Sequence, residues 1–472
     1  MSNSFPRIFS IVVTALLTMT GLVAAATQVA TAESVIAQLG LDIDGEAAGD
    51  RLNSASMSED GSRIVVGALE NDGFANTAGH ARVFEYVGNS WVQLGQDIDG
   101  SVIFEKSGAS VAMSADGTRV AIGATSQNSV RVYSYNGSVW TQVWDQILSE
   151  DAANDYSGHA VSLSSDGMIV AISSPFNAAN GAFAGQVRVF EDNGSAWVQV
   201  GQDINGEAAD DQSGFAIDLS SDGTRLAIGT PFNDPSGHVR VFEYNDPSWV
   251  QLGLDIDGEA ANDEAANLGA VSISANGNRV AIGSKGNDGG GPESGHVRVF
   301  EYVSDSWVQL GSDIDGKNSN ERSGESVAMS SDGSRVVIGV PQASAGGTNI
   351  GTARVFDFVG GNWRQVGSDI NGENDGDFFG DFVAMSGNGL RFAVGSQYHS
   401  GNGGERINSG HFRVFSIAQV NTPSTVNTSV TKLATTGSSE LVTDLWIGST
   451  LFVLTMGTAA MVFSRLRQRN NK

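Results

Sequence analysis

The residues best able to do chemistry in this chain are acidic, and they recur. Asp42, Asp44, Glu46 and Asp50 form one string, and the spacing returns as Asp203, Asn205, Glu207 and Asp211. It returns again as Asp255, Asp257, Glu259 and Asp263, and as Asp369, Asn371, Glu373 and Asp377. Shorter copies hold Asp97, Asp99 and Glu105, then Asp313, Asp315 and Glu321; the copy near Ser149, Asp151 and Asp155 is eroded, and Lys317 replaces one ligand. Oxygens at relative positions 1, 3, 5 and 9 are how a short loop wraps a hard cation, which makes Ca²⁺ the expected cofactor. Asx turns on a polar surface account for the same string without metal, and such turns tolerate the erosion. Both readings stay open at this level.

The other reactive types are repetitive too. His80, His238, His296 and His411 share one repeat position and read as structural. His159 and His399 have no companion that suggests a triad. Trp91, Trp140, Trp197, Trp249, Trp307 and Trp363 also recur, as inter-blade packing or as a platform for sugar stacking. The chain has no cysteine, which excludes disulfides, thiol catalysis and cysteine-bound metals. No carboxylate pair or Ser–His constellation stands outside the repeat.

The repeat is what must position these groups. Arg-Val-Phe or a close variant starts at Arg82, Arg131, Arg188, Arg240, Arg298, Arg354 and Arg413, at intervals of 49, 57, 52, 58, 56 and 59 residues. Periods near 50 indicate units that bury their apolar faces against one another. Within a unit, Ser110–Ser114 and Arg119–Gly123 read as strands joined at Asp116-Gly117, a dipeptide suited to the positive φ of a hairpin turn. Val130–Tyr135 and Trp140–Val143 supply two more strands, and four antiparallel strands make a propeller blade. The turn recurs at Asp60-Gly61, Asp166-Gly167, Asp222-Gly223, Asn276-Gly277, Asp332-Gly333 and Asn388-Gly389. The predicted fold is therefore all-β, a seven-bladed β-propeller over residues 33–418. Ile36–Gly40 matches a lone fourth strand and the last unit stops after its third, so the N-terminal strand is expected to complete the last blade and close the ring.

The chain carries 26 basic and 53 acidic residues, a net charge of −27, which argues against nucleic acid or an anionic membrane surface as partner. Its ends read as export machinery. Residues 1–32 have the form of a signal peptide, with Arg7, an apolar run from Ile8 to Ala26 and the small-residue site Ala30-Thr31-Ala32. Residues 419–444 form a Ser/Thr-rich stalk, 445–463 are apolar enough for a single transmembrane helix, and 464–472 are a basic tail whose charge places it in the cytoplasm. The order of Leu433-Ala434-Thr435-Thr436-Gly437, apolar span and basic tail resembles a sortase cell-wall sorting signal, although the usual proline is Ala434 here. That resemblance implies a sortase as partner, with cleavage between Thr436 and Gly437. A plain membrane anchor is the alternative, and either way the propeller is expected outside the cell.

Ser323–Gly333, the following Ile338-Gly339-Val340-Pro341 and Phe379-Gly380 resemble FG-GAP repeats, the blades of integrin α-subunit propellers and of many exported bacterial proteins. The resemblance implies extracellular ligand binding, often with calcium. The family's calcium loop joins the first two strands of a blade; here that connection is only a Ser-x-Asp-Gly turn, so that site does not carry over.

The loops between second and third strands vary most, and they should emerge on the same face as the inter-blade connections. Variable loops on a rigid scaffold are where binding usually lies. The expected ligand face comprises Asn71, Asp72, Phe74, Phe176, Asn177, Phe232, Asn233, Asn287, Asp288, Tyr398 and His399. The function expected from these features is adhesion or ligand binding at a cell surface, towards an extracellular protein or glycan. A hydrolase or lyase on a propeller scaffold and a passive surface coat are the alternatives.

Overall fold

The computed structural model describes residues 33–420 apart from 150–154, 234, 268, 345 and 401–406. The expected signal peptide, stalk, sorting pentapeptide with Thr436 and Gly437, transmembrane segment and basic tail lie outside the described residues. No helix among the described residues is long and apolar enough to cross a membrane.

Seven antiparallel sheets follow one another along the chain, and each is a blade. Blade 1 runs Leu52–Met57, Arg63–Ala68, His80–Val87 and Ser90–Gln93, joined in that order. Its fourth strand does not end at Gln93. After a break at Gly95 it resumes as Ile98–Asp99, which pairs again with the start of the third strand. The break is a bulge, and it repeats in every blade except the sixth, where Asn362–Asn371 stays continuous with a register shift. Part of each acidic string, placed by sequence in the connection between blades, thus belongs to the fourth strand.

The seventh blade is completed as the sequence predicts. Glu33–Gln38 pairs antiparallel with His411–Val420 from Glu33↔Val420 to Gln38↔Phe415, and Ile43–Asp44 pairs with the same strand.

The apolar core lies between blades. Ala121, Val130 and Val132 of blade 2 pack with Val161, Val170, Ile172 and Phe190 of blade 3, and comparable clusters fill the other seams, including blade 7 against blade 1. Each Trp spans a seam as expected: Trp140 Nε1 donates to the Leu94 carbonyl of blade 1 at 2.7 Å, and Trp363 Nε1 to Leu310 of blade 5 at 2.8 Å.

The hairpin turns close the ring a second time. Backbone amides of Glu59, Ala115, Ser165, Ser221, Ala275 and Ser331 each donate to the corresponding turn of the next blade at 2.7–2.9 Å, and Asn388 donates back to Glu59 at 2.9 Å. Most of the second-strand arginines reinforce the ring; Arg63 Nη1 reaches the Gly117 carbonyl at 3.2 Å and Arg391 Nη1 the Gly61 carbonyl at 3.0 Å.

Candidate functional site

The face opposite those turns carries the inter-blade connections and the loops from second to third strands, as the strand order requires. Each connection passes through a non-glycine residue with left-handed backbone just before the next first strand: Arg51, Lys106, Tyr156, Gln212, Glu264, Arg322 and Phe378, with φ between 50° and 59°. Left-handed geometry costs an ordinary residue about 1 kcal/mol. The ring scaffold holds seven non-glycine residues, of six side-chain types, in this one unfavourable geometry around its axis.

Exposed aromatic rings concentrate on this face. Phe74, Phe104, Tyr156, Phe183, Phe232 and Tyr398 are all exposed; among the described aromatics only Trp144, on the outer edge, joins them. They are ordered by edge contacts. Tyr156 meets Phe176 at 5.0 Å and Phe176 meets Phe183 at 5.7 Å, while Phe215 lies between Phe232 at 6.0 Å and His159 at 4.7 Å. Phe378 and Tyr398 pair at 5.6 Å, with Arg51 over Tyr398. Blades 5 and 6 contribute none of these exposed rings, so the patch covers one side of the face.

Not every residue expected to contact ligand is free to do so. Asn71, Asn177 and Asn287 are buried, at 4%, 1% and 5% exposure. Their side-chain carbonyls accept from Gly73, Ala179 and Gly289 amides at 2.7–2.8 Å, and the Asn177 and Asn287 amides reach Asp155 and Asp263. Asn233 likewise donates to Asp211 at 3.2 Å. These asparagines shape the loops. His399 is buried too: it bonds Asp377 at 3.1 Å and stacks on His411 at 3.8 Å between centroids. Burial works against its protonation, but the Asp377 contact wins and raises its pKa. Asp72, Phe74, Phe232, Asp288 and Tyr398 remain exposed and Phe176 half-buried.

The acidic strings do not gather into four-oxygen loops. Their last residues close turns: Asp50 accepts from the Glu46 and Ala47 amides, Asp263 from Glu259 and Ala260, Asp377 from Glu373 and Asn374, and Asp211 from Ala208, all at 2.7–3.2 Å. Their first residues brace the bulge: Gln38, Gln199, Gln251 and Gln365 donate to Asp42, Asp203, Asp255 and Asp369 at 2.6–2.7 Å. Asn205 and Asn371 accept from Gln186 and Thr352. Among the described residues no three carboxylates of one string come within 4.8 Å of one another. Asp44, Glu46 and Glu259 instead lie near the histidines that open the third strands, Asp44 beside His411, Glu46 beside His80 and Glu259 beside His296, while Asp257 pairs in register with His238. Burial, then the charge of the neighbouring arginine, holds His80 and His296 down to about 4.

The ring axis is a channel lined by the first strands. An upper chamber of about 170 Å³ touches Asn53, Ser110, His159 and Phe382. A lower one of about 290 Å³ is lined by Ser56, Ser162, Asp218 and Ser272. Asp218 is the carboxylate that sequence reasoning overlooked, because it occupies a position where other blades carry Ser or Ala. Burial pushes its pKa up to about 6 despite hydrogen bonds from Ile273, Ser162 and Ser272. Ser162 itself accepts the Leu219 amide at 3.0 Å, and Asp218 does the same for Ile273 at 2.9 Å. The aspartate thus replaces a serine as the acceptor that ties one first strand to the next. At the channel's upper rim stand Asp381, pushed up to about 8 by burial and the charge of Glu325, and Lys285, which pairs with Glu264 and Glu325.

No protein-family model matches the chain, and no curated protein sequence does. Solved structures do match in fold. Hydrazine synthase of Kuenenia stuttgartiensis aligns with a TM-score of 0.51 at 12% identity over 81% of this chain and 98% of that one. The β-propeller domain of Cps50 (Swd1) from Myceliophteria thermophila aligns with a TM-score of 0.52 at 10% identity, over 80% and 99%. At such identities the likeness establishes the seven-bladed propeller and nothing of its chemistry.

Proposed function

We propose that this propeller is a ligand-binding module displayed at a cell surface, taking an extracellular protein or glycan on its loop face. The observation that carries the reading is the one-sided patch of exposed aromatic rings from blades 7 and 1 to 4. Aromatic rings supply large contact area at low entropic cost and stack on sugars as readily as on protein side chains. The left-handed backbone beneath them adds support, since strain of this kind clusters at functional sites. Display rests on the sequence ends: an export signal, a stalk, and an anchor whose pentapeptide would make a sortase its partner. The FG-GAP resemblance points the same way. A channel enzyme is less favoured, because both oxygens of Asp218 are engaged by neighbouring first strands.

The test is a glycan-array and matrix-protein screen of the purified protein, followed by F183A/F232A. We expect any ligand found to bind at least 10-fold more weakly to this variant at unchanged melting temperature. Full binding by the variant would move the site off this face.

A further inference from the structure

A different set of residues recurs at the seams. In three places among the described residues a glutamate, a histidine and an aspartate each offer a ligand atom within 4.8 Å of the others: Glu46, His80 and Asp97; Glu207, His238 and Asp255; Glu259, His296 and Asp313. The glutamate lies in the connection leaving one blade, whereas the histidine and aspartate sit on the third and fourth strands of the next. Each group therefore spans a blade boundary.

The histidines are 0–2% exposed, yet Nε2 of His80 and of His238, and both ring nitrogens of His296, find no hydrogen-bond partner. A buried polar atom left unsatisfied in this way calls for an explanation. At His296 the orphaned Nδ1 is itself the atom that faces the glutamate, whereas at His80 and His238 the orphan is Nε2 and Nδ1 faces the carboxylates. The rings are aimed at the carboxylates but stop short of bonding them. His296 Nδ1 is 3.9 Å from Glu259, His80 Nδ1 is 3.9 Å from Glu46, and His238 Nδ1 is 3.8 Å from Asp255. Such separations exceed a hydrogen bond. They approach the spacing of about 3.4 Å between two ligand atoms that share a tetrahedral ion through bonds near 2.1 Å.

A competing cation is present in each group and must be weighed. Arg82, Arg240 and Arg298 approach the same glutamates at 3.3, 3.6 and 3.6 Å. One guanidinium against a glutamate and an aspartate leaves a net negative charge, and in Glu46 and Glu259 the oxygen facing the imidazole is not the one facing arginine. One nitrogen with two carboxylates suits a borderline ion such as Zn²⁺; Ca²⁺ takes oxygen ligands alone.

We infer that these three groups each bind one divalent transition-metal ion of the Zn²⁺ class, clamping a blade to the one before it. The inference is independent of what the loop face binds. The chain supplies its own control, because Ser129, Gln186 and Thr352 occupy the histidine position in blades 2, 3 and 6 and those blades fold.

The experiment is a titration of chelator-treated full-length protein with Zn²⁺ against a chromophoric competitor, with Co²⁺ absorption reporting nitrogen ligation and Ca²⁺ run in parallel. H80Q/H238Q/H296Q should lose three equivalents of Zn²⁺ while keeping its β-sheet circular dichroism, and H296Q alone should lose one. Zn²⁺ should raise the melting temperature of wild type and leave that of the triple variant nearer its metal-free value. Equal Zn²⁺ stoichiometry in wild type and H296Q, no binding by wild type, or binding of Ca²⁺ in preference to Zn²⁺ would each overturn the assignment.

Discussion

The Ser162 hydroxyl donates a 3.0 Å hydrogen bond to Asp218, joining the first strands of blades 3 and 4 at the wall of the channel. Ser272 donates from the other side at 3.3 Å and the Ile273 amide at 2.9 Å. Burial outweighs these donors and raises the carboxyl to about 6 from its ordinary 3.8. Between those values the folded protein holds a proton that the unfolded chain has released, so Asp218 takes stability away as pH rises from about 4 to about 6. A side-chain amide in its place removes the charge, keeps one accepting oxygen for the Ile273 amide and Ser272, and, like the protonated acid, presents a donor to the Ser162 hydroxyl. D218N should melt a few degrees above wild type at pH 7.5 and level with it near pH 4. If the two melting curves stay parallel over that range, Asp218 ionises freely in the folded protein.

Most of the scaffold was legible in the sequence, because a repeat states each local rule many times. Asp-Gly at Asp116-Gly117 announced a hairpin, and the lone Ile36–Gly40 segment announced the closing strand. The broken fourth strand was not legible: Asp42 and Asp44 read as a loop, since nothing local says that Ile43 rejoins the sheet beyond Gly40. The site was harder still. Asn71 and Asn177 looked like contacts because loop asparagines are polar, yet their side chains are consumed in holding the loop. Asp218 was passed over because it substitutes within the repeat instead of interrupting it. The meeting of Glu259 with His296 depends on two blades coming together, which no spacing along the chain reveals.

Closure by the N-terminal strand carries a clear cost if removed. Pairing of Glu33–Gln38 with the last strand covers Phe415 and Ile417, which are 4% and 5% exposed in the closed ring. Deleting residues 33–40 would leave blade 7 with an open edge and uncover apolar side chains there, each worth roughly 1.5–3 kcal/mol when fully buried. The truncated protein should melt at least 10 °C lower and should self-associate in sedimentation velocity. A monomer of unchanged melting temperature would mean that the ring does not depend on this strand.

The bulge glycines hold the seams. Gly95 has φ +81°, and a Cβ there would lie 2.9 Å from Trp140 Cδ1. Trp140 is buried and donates to the Leu94 carbonyl. Valine at this position combines left-handed backbone strain with displacement of the indole, so G95V should cost about 2–4 kcal/mol in denaturant unfolding. G88A is the contrasting case: Gly88 also has positive φ, but its Cβ would meet nothing within 4 Å, and only the backbone penalty of about 1 kcal/mol is expected. Equal losses in the two variants would show that backbone strain, not the tryptophan contact, sets the requirement for glycine.

Asp381 extends the pH argument to the channel's upper rim. Burial pushes its carboxyl up to about 8; the 3.3 Å hydrogen bond from Gln397 pulls the other way, and the negative charge of Glu325 adds a smaller push upward. The folded protein therefore carries a proton on Asp381 at neutral pH, and stability falls as pH rises from about 4 to about 8. D381N should remove that fall, leaving a variant whose advantage over wild type grows from pH 5 to pH 9. Removing the neighbouring charge with E325Q should lower the Asp381 pKa, so that the loss of stability ends at a lower pH than in wild type. The two variants together separate burial from charge. If E325Q leaves the pH profile unchanged while D381N flattens it, burial alone holds the proton on Asp381; if D381N changes nothing, the carboxyl is already ionised at neutral pH and the rim carries one more negative charge towards the ligand face.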